Sequence, residues 1–363
     1  MKRLAVPLLL VALAAPGTAS AQTFEPLPPK AVAKISMAKT GLDGPAYARL
    51  DRLANRYGRV GVKAVVESAN RDVQSAAGSP SLNQIGAPVV ASFKWNNGDN
   101  GVGYWTPQGI TGSAAATEDG LVGGHRSLVV SWYGPNGARL TFVNSDNGFT
   151  KYRHVLLVEP SGNSFKPIST HAGGVAWYGD KLYVAETKVG LRVFDVNYFL
   201  DATKSPESID QGYRWVLPQV GLYQQNGARR VRFSSVETDR GGPALVTSAW
   251  ADRKPGRLAV RWALAGDQLS AVGAWRMPTS NVQGVLQHKN VLVASSSFDL
   301  DAGSGIGELL TGAPTAPAGR INWPDGAEDL HYAGTSGRIY SLTEHKGDRI
   351  VFAIDGTSVG VPR

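Results

Sequence analysis

The chain has 363 residues, a formal net charge of +8 and no cysteine. That excludes disulfides, thiolate metal sites and a cysteine nucleophile. It leaves a chain long enough to be held together by its core alone.

The N-terminus reads as an export signal. Lys2 and Arg3 precede an apolar run from Leu4 to Ala15, followed by Pro16, Gly17 and Ala19-Ser20-Ala21. This is a charged region, a short hydrophobic region and an A-x-A cleavage site. The run is too short to span a bilayer, which takes roughly twenty apolar residues. The expectation is a signal peptide over 1–21, a secreted or periplasmic protein with no membrane span after cleavage, and a monomer. Losing Lys2 and Arg3 leaves a charge of +6. The basic residues are scattered apart from Arg229, Arg230 and Arg232, and no nucleic-acid motif is present. Positive charge on an exported protein favours acidic partners, here an acidic polysaccharide or cell-wall glycan.

Residues 22–35 are rich in proline and alanine and read as a flexible lead-in. Ala46, Leu50, Leu53, Ala54 and Tyr57 recur at helical spacing, as do Val62, Val65, Val66 and Ala69 after Gly58 and Gly61. Residues 22–85 are therefore read as a lead-in with a short helical segment, either a cap or a piece removed on maturation.

From residue 86 to the end, short β-rich runs alternate with Gly, Asn, Asp and Pro turns. A degenerate repeat opens at Gln108, His171, Ser234, Gln283 and Glu328, with spacings of 63, 63, 49 and 45 residues. Such spacings suit four-stranded propeller blades. The last unit lacks an outer strand, and Val89–Trp95 is a spare strand able to supply it. The prediction is an all-β propeller with five blades favoured over six or seven, closed by its N-terminal strand. A β-sandwich is the structural alternative.

In a propeller the first strand of each blade lines the axis. Gln108, His171, Ser234, Gln283 and Glu328 are therefore expected to converge on one mouth, around a ligand or ordered water. Glu328 and Asp329 point to opposite faces of a strand, so a carboxylate partner for Glu328 must come from elsewhere, such as Glu186, Glu237 or Asp99. His171 is the candidate general base, with Tyr183 as proton donor and Arg192, Arg126 or Arg153 neutralising a uronate. Glu328, Gln108 and Gln283 offer oxygen ligands for calcium. Trp95, Asp99 and Trp105 lie in an aromatic and amide-rich stretch of the kind that contacts sugars, and His125 and His331 are further binding candidates. No H-E-x-x-H or phosphate loop occurs.

Several runs carry a resemblance: Trp95-Asn96-Asn97-Gly98-Asp99, Tyr104 to Thr111, Tyr152 to Pro160, His171 to Gly174, Trp177-Tyr178-Gly179, Leu191 to Asp195, Glu328-Asp329-Leu330 and Leu342-Thr343-Glu344. Through them the chain resembles a group of uncharacterised secreted bacterial β-propeller proteins over roughly residues 89–354. More distantly it is similar in fold to propeller-type polysaccharide lyases and glycosidases. The function expected from residues and resemblance together is a polysaccharide lyase or glycoside hydrolase acting on an acidic glycan. The alternatives are a non-catalytic glycan-binding propeller and a calcium-dependent phosphohydrolase.

Overall fold

Runs of Val, Leu, Phe and Trp broken by glycine turns fold here into short antiparallel meanders. The computed structural model describes residues 22–204, 212–239, 241–250, 256–297 and 305–363; the expected signal peptide lies outside the described residues. The closing strand β1 is Val89–Lys94. Unit 1 contains β2 (Thr106–Gly112), β3 (Ser127–Gly134), β4 (Gly137–Asn144) and β5 (Lys151–Ser161). Unit 2 contains β6 (Val175–Tyr178), β7 (Lys181–Glu186), β8 (Gly190–Asp195) and β9 (Trp215–Gln225). Unit 3 contains β10 (Phe233–Asp239), β11 (Ala244–Ala249), β12 (Leu258–Ala265) and β13 (Gln268–Arg276). Unit 4 contains β14 (Val282–His288), β15 (Val291–Ser296), β16 (Gly307–Gly312) and β17 (Gly319–Trp323). Unit 5 contains β18 (His331–Ala333), β19 (Arg338–Leu342) and β20 (Ile350–Asp355).

The protein is a β-propeller. In unit 5, β1 pairs antiparallel with β20, with Lys94 opposite Ile350, so the two ends of the domain share one sheet. Units 1 and 2 merge at their outer edges, where β9 runs parallel to β5 from Trp215 opposite Val155 to Pro218 opposite Val158. The second half of β9 pairs instead with β8 and with Met37–Gly41.

The first strands of the units stand side by side around the axis. They approach so closely that side chains are excluded at one level. A Cβ on Gly109 would lie 2.6 Å from the Val175 amide nitrogen, and one on Gly174 2.4 Å from that of Val236. Gly284 meets Leu330 in the same way. These contacts align Gly109, Gly174, Ser235, Gly284 and Asp329 as one layer. The layer before it is Gln108, Gly173, Ser234, Gln283 and Glu328. The axial position of unit 2 therefore belongs to Gly173, and His171 lies two residues outside it.

Between units the core is aromatic. Trp132, Trp177, Trp262 and Trp323 are fully buried, and Trp95 joins them just past β1. At roughly 25 cal/mol per Å² and roughly 200 Å² per ring system, each stabilises the fold by up to about 5 kcal/mol.

The lead-in is more ordered than its composition suggests, because its few apolar residues are anchored. Phe24, Leu27, Val32 and Ile35 are buried, and Glu25–Pro26 adds a strand to the edge of β13. The helix Gly44–Tyr57 is capped by Asp43, whose carboxylate accepts from the Ala46 amide, and it buries Leu50, Leu53 and Tyr57. A second helix, Val62–Glu67, buries Val62, Val65 and Val66 against unit 1. No helix among the described residues is long and apolar enough to cross a membrane.

Candidate functional site: the axial mouth

The layer that starts the inner strands opens onto one end of the propeller. Glu328 lies just before β18 and its amide donates to the Leu342 carbonyl (2.9 Å). Glu344, just past β19, donates its amide to the Gly326 carbonyl (3.0 Å). This hairpin sets the two glutamates diagonally across a strand pair, within side-chain reach. Their carboxyl groups lie close enough for the charge of Glu344 to act on Glu328. Two carboxamides from other units hold the pair. Gln283 Nε2 donates to Glu328 Oε1 at 3.1 Å, and Gln108 Nε2 donates to Glu344 Oε2 at 2.9 Å. The Glu344 carbonyl accepts from Arg349 Nε (2.8 Å), which fixes the loop.

Glu328 is 1% exposed, whereas Glu344 is only half-buried. Burial, then the charges of Glu344 and Asp329, push the Glu328 carboxyl well above its ordinary range. Glu344 is raised too, chiefly by burial. Glu328 is therefore the deeper and more strongly raised carboxyl, and Glu344 is the solvent-facing one.

One layer deeper the axis is stopped. Asp329 is fully buried, and its Oδ2 accepts from the amides of Ile110 (3.3 Å) and Val175 (3.4 Å), in two neighbouring units. Burial, then the charge of Glu237, pushes its carboxyl well above its ordinary range. Deeper still, His331 Nδ1 meets Glu237 Oε1 at 3.2 Å, and both residues are fully buried. His331 lies at the floor of a second cavity of about 770 Å³, between units 1 and 5 at the opposite end, with Arg126 and Arg338 on its walls.

The structure brings Gln108, Gln283 and Glu328 together, as the axial reading required. It does not assemble the expected lyase set. His171 stands at the surface and stacks on Tyr133 at 4.5 Å. Arg192 is engaged by Glu186 (2.5 Å) and Gln219 (2.6 Å) on the sheet of unit 2. Tyr183 is buried against Tyr223 in the core between units 2 and 3, and its hydroxyl is pushed far up by burial. None of the three partners suggested for Glu328 reaches it: Glu186 holds Arg192, Glu237 holds His331, and Asp99 binds Arg139, Tyr152 and His154.

The aromatic stretch is mostly core. Trp95 is fully buried among Phe93, Trp132 and Tyr152, so no sugar ring can stack on it. Trp105 is 8% exposed and covers the Arg139 guanidinium at 4.4 Å. Of the aromatic residues in that stretch Tyr104 alone is exposed, at 62%. His125 is tied to Asp146 (2.7 Å) in a surface turn, and that hydrogen bond raises its pKa. Arg153 lines a separate small cavity.

The residue that sequence reasoning missed is Glu344. Its signal was available in the hairpin, because the end of a second strand must lie beside the start of the first. Two carboxylates and two carboxamides form an oxygen-donor set, but both amides turn their NH2 groups toward the carboxylates. Among the described residues no group of three or more His, Cys, Asp or Glu could hold a metal ion. Calcium therefore fits poorly here.

No protein-family model and no curated protein matches the sequence. Solved structures of propeller type do match. Glutaminyl cyclase of Myxococcus xanthus is similar at 14% identity over 74% of this chain and 95% of its own, with a TM-score of 0.40. PhoX of Pseudomonas fluorescens, in complex with vanadate, is similar at 8% identity over 81% of this chain and 100% of its own, with a TM-score of 0.43. The Cps50 propeller domain of Myceliophteria thermophila is similar at 11% identity over 62% of this chain and 66% of its own, with a TM-score of 0.30. At this distance the likeness is one of fold and says nothing of chemistry. Similarity to polysaccharide lyases does not emerge among these matches.

Proposed function

We propose that the protein is an exported acid–base enzyme working at the axial mouth, with Glu344 as general base and Glu328 as its proton partner. The observation that carries this reading is the pairing across one hairpin of a buried glutamate, its carboxyl pushed well up by burial, with a half-buried one, each held by a carboxamide from another unit. A carboxylate raised toward neutral pH is a stronger base, which suits it to proton abstraction.

The burial of Glu328 selects among reactions. Glycoside hydrolysis takes two carboxyl groups that flank the scissile bond. Glu328 is buried and held by Gln283, so Glu344 is the one carboxylate of the pair that faces the open mouth. Proton abstraction followed by elimination needs one base, so eliminative cleavage of an acidic glycan is favoured over hydrolysis. The positive charge of the chain supports an anionic substrate.

The test is incubation of the chain beginning at Gln22 with a panel of acidic polysaccharides, reading unsaturated-uronate absorbance and reducing ends together. Elimination raises both. Glu344→Gln should lower kcat by two or more orders of magnitude with the fold retained. Turnover that survives Glu344→Gln, or reducing ends appearing without unsaturation, would reject this assignment.

A further inference from the structure

A cavity of about 180 Å³ lies at the outer edge of unit 1, between β5 and the Gly212–Arg214 segment. Four arginines line it: Arg71, Arg139, Arg153 and Arg214. Only one carboxylate among the described residues answers them. Asp99 accepts from Arg139 Nη2 (2.9 Å), lies 3.3 Å from Arg71 Nε, and also accepts from Tyr152 and His154. Burial would raise the Asp99 carboxyl, but His154, Arg139 and Tyr152 overcome this and hold it well below its ordinary range. His154 is neutral, because burial and the charge of Arg139 lower its pKa to about 3. The described walls thus carry an excess of three positive charges.

The other partners of these guanidinium groups are uncharged: Arg139 lies under Trp105 and donates to the Tyr213 hydroxyl, Arg153 donates to the Ser68 carbonyl, Arg71 to Asn70, and Arg214 lies over the Trp215 ring. Arg139 is 4% exposed, and its buried Nε has no acceptor among the described residues. Arg153 is pulled below its ordinary value by burial, then by the charges of Arg214 and Arg71. Like charges crowded around a small cavity are costly unless an anion joins them. Guanidinium forks converging from several elements match a compact, multiply charged oxyanion better than a single carboxylate.

We propose that this cavity binds a tetrahedral oxyanion, phosphate or sulfate, either free or as the terminal ester of a larger ligand. The site stands independently of the axial mouth, although Arg349 touches both by donating to the Asp99 and Glu344 carbonyls.

Isothermal titration of the chain from Gln22 at low ionic strength tests it. Inorganic phosphate, inorganic sulfate, a sugar phosphomonoester and a sugar sulfate ester are each titrated. The expected result is saturable binding of one anion per chain, weakened by added sodium chloride. The double substitution Arg153→Gln and Arg214→Gln should weaken it at least tenfold, while Arg229→Gln leaves it unchanged. Tighter binding of an ester than of its free ion would identify an ester-bearing ligand, and equal binding a free ion. Absence of saturable binding in every arm, or full affinity in a double variant that melts like the parent, would overturn the proposal.

Discussion

At the scale of single residues, the axis is a stack of carboxyl groups made tolerable by protonation. Asp329 cannot be ionised cheaply where it sits, since its two backbone donors are long and Glu237 is near. Its folded-state pKa lies above that of the unfolded chain. Between those two values the native state binds more protons, so stability declines as pH rises through the window. Glu328 and Glu344 act in the same direction. Asp329→Asn keeps the acceptor oxygen and replaces the hydroxyl with an amide of the same reach. We expect its melting temperature to change less than that of the parent between about pH 5 and about pH 8. Thermal scans across that range check this. A parent curve that rises toward alkaline pH would contradict the assignment of these protons.

At the scale of elements, the inner strands are set by what they lack. Gly174→Ala would drive a methyl group into the Ser235–Val236 backbone, which has no rotamer to yield. The expected loss is about 3 kcal/mol or more, in line with severe overpacking. Urea unfolding measures it, and Gly44→Ala, where a Cβ meets nothing within 4 Å, is the control. These glycines also explain what could be read in advance. The β-rich texture and the closing role of Val89–Trp95 were legible because alternation and turns are local signals. The register between units was not, because it is fixed by contacts between strands far apart in sequence. An offset of two residues in unit 2 put His171 on the axis in place of Gly173. Trp95 misled for a related reason: aromatic and amide residues contact sugars on a surface and pack cores when buried, and composition does not separate the two. Glu344 was overlooked because its meaning comes from a hairpin partner, not from its own neighbours in sequence.

At the scale of the whole molecule, the fold is a ring whose seam is the pairing of β1 with β20. Removing residues up to Lys94 would strip β1 from unit 5 and the anchored lead-in from units 2 and 3 together. We expect that truncated chain to aggregate, because β20 would present a free apolar edge. Adding the Val89–Lys94 strand after the C-terminus through a flexible linker should restore solubility. Light scattering and soluble yield of the two chains distinguish the outcomes. Failure of the appended strand to rescue would place the stabilising role in the lead-in.

The seam has a further consequence for how the chain is made. Lys94 meets Ile350 only after nearly all the residues between them have been synthesised and arranged, so the last sheet is completed last. Any product of interrupted synthesis, or of clipping before Ile350, carries two raw strand edges in place of one finished sheet. Completion of the ring thus serves as a molecular check that the span from Val89 to Ile354 is present and in place.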